Sequence, residues 1–222
     1  MRKIFLLLLP VLVTLDLYSQ EKSGVLEFAQ GKMTELEEFQ KSLVENPSEE
    51  NKKAVMEKAR NSVMDMLEFD VISRMALGKY YSEKTPQSKR QMDRFRELYR
   101  RLMTESILKI NLPEKKSLQK KNPLKLHRES YKKDTIFNMD AWIVHGTMVS
   151  KKIEYKVELY FYRKNNRFYL YDVRIDDSST LLDYRNYFYQ TISDPKKGMD
   201  YLIQKLTEKV NDLENGKLKK KK

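Results

Sequence analysis

Apolar residues recur along this chain at two periods, and the change of period divides it. Residues 25–44 follow helical spacing: Leu26, Ala29, Met33, Leu36, then Phe39 or Gln40, then Leu43. Asn46-Pro47-Ser48 ends that run and supplies a cap for the next helix. From about Glu49, Val55, Met56, Ala59, Val63, Met66 and Leu67 make one apolar side. A third helical segment repeats Ile72, Met75, Ala76 and Tyr80. Gly78 lies inside it, where either the helix weakens or a neighbour passes closely. Thr85-Pro86 starts a fourth helix, a capping hydroxyl followed by proline at the first helical position. Its core face is Met92, Phe95, Leu98 or Tyr99, Leu102, Met103 and Leu108. Lys89, Arg90, Arg94, Arg96, Arg100 and Arg101 occupy the opposite face, and Asn111-Leu112-Pro113 closes the run.

The period then drops to two. Residues 114–125 are lysine-rich and read as a loop or edge segment. Residues 135–149 predict one long strand, with a bulge or kink at Gly146. Next, Ile153, Tyr155, Val157, Leu159 and Phe161 alternate with Glu154, Lys156, Glu158, Tyr160 and Tyr162. Hairpin turns at 150–152 and 163–167 join these strands to a third. There Tyr169, Tyr171, Val173 and Ile175 are predicted on one face, and Phe168, Leu170 and Asp172 on the other. Asp176-Asp177-Ser178-Ser179 favours a turn and a helix cap. Helical spacing resumes at Leu181, Tyr184, Tyr187 or Phe188, and Ile192. Past Asp194-Pro195 and Gly198, a last amphipathic helix uses Met199, Leu202, Ile203, Leu206, Val210 and Leu213. Helices, an antiparallel meander, then helices again predict an α+β fold, a curved sheet wrapped by helices in a single domain.

The N-terminus departs from this pattern. Arg2 and Lys3 precede an apolar run at 4–15, and Leu17-Tyr18-Ser19 suits cleavage. The run falls short of the ~20 residues a spanning helix needs. Residues 1–19 therefore read as a secretory signal peptide cleaved near Ser19 or Gln20, with an uncleaved anchor as the alternative. The expected domain is 20–215, followed by a lysine-rich disordered tail at 216–222. The chain has no cysteine, which removes disulfides, thiol catalysis and thiolate metal sites. Its net charge of +12 suits anionic head groups or a solvated exterior alike. Export and the lack of a nucleic-acid motif argue against nucleic acid.

Candidate catalytic chemistry is thin. His127 and His145 are the only histidines, and neither has ligand or triad spacing. Asp176 and Asp177 fit a turn or cap better than a pair of working carboxylates. No nucleophile elbow or P-loop is present, so the reading is a protein that is not an enzyme and holds no metal. Large apolar groups are in excess: fourteen Tyr, nine Phe and eleven Met. They fall on both faces of the predicted sheet. A dense core and a cavity between sheet and helices would both produce that pattern.

One ordered set of residues narrows the choice. It contains Phe168, Leu170, Tyr171-Asp172-Val173, Ile175-Asp176, Ser179, Leu181, Tyr184-Arg185 and Phe188. Phe69-Asp70, Leu77-Gly78-Lys79-Tyr80-Tyr81, Thr85-Pro86, Phe95 and Leu98 precede it; Gly198, Leu202-Ile203 and Leu206 follow. This set resembles the MlaC family, periplasmic phospholipid-binding proteins also called toluene-tolerance auxiliary proteins. The chain departs from the family pattern at four places. Phe168 replaces Trp, Asp177 replaces Gly, Ser178 replaces Val, and Asp183 replaces Asn. Asp177 puts the turn conformation in question, because Asp tolerates a left-handed backbone less well than Gly.

The resemblance implies an MlaC-like fold related to the nuclear-transport-factor-2-like architecture. It implies carriage of phospholipid between inner and outer membranes, with the lipid as cargo and no cofactor. The implied partners are an inner-membrane ABC transporter with its MCE-domain protein and an outer-membrane lipoprotein complex. Candidate lining residues are Ile72, Met75 and Ala76; Phe95, Leu98 and Leu102; Val157, Leu159 and Phe161; Tyr171, Val173 and Ile175; and Tyr184 and Phe188. Arg185 either lies near the pocket mouth or orders the strand-to-helix turn. Two other readings stand beside the carrier. One is a secreted protein-interaction module without lipid. The other is an enzyme on the same architecture, which a buried Asp172 with a polar partner in a pocket would favour.

Overall fold

A computed structural model describes residues 23–111, 124–150 and 152–215. The expected signal peptide, most of the 114–125 segment and the lysine tail lie outside the described residues. Four helices come first: α1 (Val25–Glu45), α2 (Glu49–Asp65), α3 (Phe69–Leu77) and α4 (Pro86–Asn111), with a tight 3-10 turn, Gly78–Tyr80, between the last two. The caps of α2 and α4 follow the sequence. Ser48 Oγ accepts from Asn51 N–H at 3.2 Å, and Thr85 Oγ1 accepts from Ser88 N–H at 3.1 Å, each satisfying a donor that the first helical turn leaves unpaired. At Gly78 the backbone turns to φ +46°. A Cβ there would strike the Tyr189 hydroxyl, which accepts from Lys79 N–H at 3.1 Å. Close approach by a neighbour is thus the reason for this glycine.

The sheet has five antiparallel strands in consecutive order: β1 (Lys125–Asp134), β2 (Met139–Ser150), β3 (Ile153–Lys164), β4 (Arg167–Ile175) and β5 (Ser178–Ser179). The stretch 135–149 is not one strand. It contains the β1–β2 turn, with Asn138 at φ +53°, and most of β2. β1 is an edge strand of largely exposed polar residues, so it shows little of the alternation by which a half-buried strand is read. Gly146 faces a bulge in the partner strand, between Leu126 and Arg128. A Cβ on Gly146 would lie 2.6 Å from the Lys125 carbonyl oxygen.

A second bulge corrects the predicted faces of β4. Tyr160 pairs with Asp172 but Phe161 pairs with Leu170, so Tyr171 is an extra residue. Directly opposed residues share a face. Leu159 opposes Val173 and Val157 opposes Ile175, which puts Val173 and Ile175 with Phe161, Leu170 and Phe168. Asp172 and Arg174 oppose Tyr160 and Glu158 and so lie with Tyr162 and Tyr169. α1 covers the first of these faces. Its Phe28 meets Phe161 edge-on at 5.9 Å and Phe168 at 6.0 Å.

Beyond β5 come α5 (Thr180–Ser193) and α6 (Gly198–Glu214). Asp176 and Asp177, at φ +46° and +70°, form the two-residue β4–β5 turn, and a type I′ turn demands positive φ at both positions. The side chain of Asp176 offsets some of the strain, accepting from Lys156 N–H at 2.9 Å. α6 lies along α4, tied by Gln91 to Asp200 at 2.8 Å and by Arg101, whose Nε and Nη2 donate to the two carboxylate oxygens of Glu214. Among the described residues no helix is long and apolar enough to cross a membrane.

Candidate functional site

The strand-to-helix junction is built around one buried carboxylate. Asp172 Oδ2 accepts from Ser179 Oγ at 2.7 Å and Arg174 Nε at 2.9 Å. Its Oδ1 accepts from Leu181 N–H at 3.0 Å, at the first turn of α5. Burial pushes this carboxyl up, and those three bonds pull it only part of the way back. Arg174 also reaches Asp134 at the end of β1, lies 3.7 Å over the Tyr160 ring, and leaves Asp134 to accept from Tyr171 Oη at 2.8 Å. Asp172 is therefore buried with polar partners, but both of its oxygens are committed to holding α5. It does not line either of two surface clefts, one at Asp70, Asp93 and Arg96 and one at Lys32, Glu35 and Lys58, and this arrangement anchors structure.

A second polar chain crosses three strands. Ser130 Oγ lies 2.7 Å from His145 Nε2, and His145 Nδ1 lies 3.1 Å from Glu158 Oε1. Glu158 also accepts from Tyr160 Oη at 3.0 Å and pairs with Lys156 at 3.1 Å. Burial lowers the His145 pKa, partly countered by Glu158. No group of acids and histidines among the described residues is placed to hold a metal ion.

The apolar side of α5 faces an aromatic layer. Phe95 meets Phe188 edge-on at 5.3 Å, Tyr99 meets Phe188 and Tyr184 edge-on at 5.5 Å each, and Tyr184 meets Phe188 at 5.7 Å. Fully burying a phenylalanine contributes about 1.5–3 kcal/mol, so this layer is a main bond between α4 and α5. Arg185, next in the chain, points elsewhere. Its Nε donates to the Met75 carbonyl at 2.7 Å, and its guanidinium lies 4.8 Å from the Phe137 ring. It thereby ties α5 to α3 and to the β1–β2 turn.

The expected lining residues distribute unevenly. Ile72, Ala76, Phe95, Leu98, Leu102, Phe161, Tyr171 and Phe188 belong to one continuous buried cluster, with Met75, Leu159, Val173 and Tyr184 packed against it. Val157 and Ile175 lie outside that cluster, and Ile175 is 37% exposed. Tyr99, Phe28, Phe137 and Asp134 were missed. Only Tyr99 had a signal, as the alternative to Leu98 in the helical spacing; the others meet their partners across long stretches of chain. Two clefts among the described residues, of about 220 and 490 Å³, are open and lined mostly by charged groups such as Asp70, Arg96 and Arg100 or Lys32, Glu35 and Lys58. None of the expected lining residues borders either one. On the basic face of α4, Arg94 pairs with Glu97, Arg96 with Asp70, Glu83 and Asp93, and Arg101 with Glu97 and Glu214.

The family profile described as MlaC protein matches residues 34–208. The chain belongs to the MlaC family. A phospholipid-binding protein from Ralstonia solanacearum, solved in complex with a phospholipid, shares the fold at TM-score 0.57 and 15% identity, covering 87% of this chain and 99% of that one. No curated protein matches. Within the MlaC fold of this chain, the bulge at Tyr171 and the Asp172 junction lie inside the matched span. Its aromatic layer sits where α4 and α5 meet.

Proposed function

We propose that this protein is a periplasmic phospholipid carrier. Membership of the MlaC family carries the reading, and the phospholipid complex of the Ralstonia protein with the same fold supports it. Residues 1–19 direct export and are removed, and 20–215 form the lipid-binding domain. The carrier moves lipid between an inner-membrane ABC transporter with its MCE-domain protein and an outer-membrane lipoprotein complex. Two acyl chains bury roughly 30 methylenes at about 0.8 kcal/mol each, so leaving them in water costs about 24 kcal/mol. Such a lipid crosses water only inside a protein.

A site for a molecule of this size needs about 300–1,000 Å³ of mostly apolar space. In this structure most of the side chains expected to line it, all but Val157 and Ile175, are packed in one cluster. Loading therefore requires helices to part from the sheet or from each other, and the affinity of the pocket for lipid is reduced by the work of opening. That reduction suits a carrier, which must release its cargo as well as take it. The test mixes delipidated protein with vesicles carrying a fluorescent phospholipid and separates the two. Stoichiometric transfer of label to protein is expected. Protein that stays folded and takes up no label would overturn the carrier in favour of an interaction module.

A further inference from the structure

Tyr99 stands mid-way along α4 and is fully buried. Phe95, Tyr184 and Phe188 surround its ring, yet its hydroxyl has no hydrogen-bond partner among the described residues. A buried donor without an acceptor destabilises a fold, and phenylalanine would fill the same space without that penalty. Burial also pushes this phenol well above its ordinary pKa, so it remains a donor. Toward the surface the adjoining ring is Tyr184, half-buried. Over that ring, 5.6 Å from its centre, rests the ammonium of Lys209 on α6, whose pKa desolvation lowers.

From the surface to the buried cluster these are an exposed cation, a half-buried phenol, and then, equally buried, the unpartnered donor of Tyr99 together with Phe95, Leu98, Leu102 and Phe188. A glycerophospholipid has a matching order: phosphate, glycerol esters, acyl chains. We propose that the Tyr99 hydroxyl donates a hydrogen bond to an ester carbonyl of the bound lipid, with Lys209 facing the phosphate. The proposal rests on the carrier reading and assigns that site a preference for ester-linked lipids. The carbonyl supplies the acceptor that the hydroxyl lacks, and in a dry interior such a pair discriminates strongly against a ligand without it.

The test titrates delipidated wild type and Tyr99→Phe with dipalmitoyl phosphatidylglycerol and with its dihexadecyl ether analogue, which has the same charge and chain length but no ester carbonyl. Wild type should prefer the ester lipid about tenfold, or about 1.4 kcal/mol. Tyr99→Phe should bind both lipids alike and, without lipid, melt no lower than wild type. A wild type that does not discriminate overturns the proposal, as does a variant that still does. A sharp fall in the variant's melting temperature also overturns it, since the hydroxyl would then have a partner within the fold. Wild type that binds neither lipid overturns the carrier reading itself, an outcome distinct from the others.

Discussion

His145 shows how a single residue records its surroundings. Its ring contacts Ser130 on β1 and Glu158 on β3, with Arg128 and Lys156 also near enough to act on its charge. Burial makes protonation harder in the folded chain than in the unfolded one. The unfolded state then binds more protons as pH falls through about 6.5. The stability His145 contributes is therefore complete above that pH and is lost below it. Melting curves between pH 7.5 and 5.5 should fall more steeply for wild type than for His145→Gln; parallel slopes would show that His145 carries no such linkage. Nothing in the sequence near His145 reveals this, because its partners lie on two other strands. Tyr171 is a similar case. As the extra residue of a bulge it turns Asp172 and Arg174 toward the Tyr160 side, whereas strict alternation assigns Asp172 to the face opposite Tyr171. The bulge leaves no mark on the alternating pattern because the four residues that lead into it, Phe168 to Tyr171, are all large and apolar or aromatic and fit either face.

At the scale of elements, the helices were legible and the first strand was not. Ser48, Thr85 and Ser179 all cap where their side chains suggest, since a capping oxygen acts within three or four residues of its own position. β1 depends instead on pairing with β2 and has no periodic apolar face of its own. The β4–α5 junction combines both kinds of information. Ser179 caps α5 locally, but Asp172 also holds the helix start from the neighbouring strand, with Arg174 buried beside it. Removing Asp172 takes from the buried Arg174 one of its two carboxylate partners, leaving Asp134, and strands the Ser179 hydroxyl and the Leu181 N–H without their acceptor. Asp172→Ala should therefore lose about 3–5 kcal/mol of stability, measured by urea unfolding with an unchanged slope. A loss below about 1 kcal/mol, the worth of an exposed pair, would show that the junction is not a structural anchor.

For the whole molecule, the α+β class followed from the change of apolar period, and the family from the ordered residues around Tyr171, Tyr184-Arg185 and Gly198. The proposed lipid site was less legible, for a physical reason. Residues that line a cavity and residues that fill a core are apolar at the same spacing, and Phe95, Leu98 and Phe188 fit either role. In the folded chain they make close contacts, so the account requires a core that opens for two acyl chains and closes after release. The most direct test is to purify the protein from a native-like periplasm without detergent, extract it with organic solvent, and identify the extract by mass spectrometry, with native mass spectrometry for stoichiometry. The account predicts co-purifying phospholipid in stoichiometric amount. Well-folded protein that is repeatedly empty would contradict it and leave the aromatic layer as plain core.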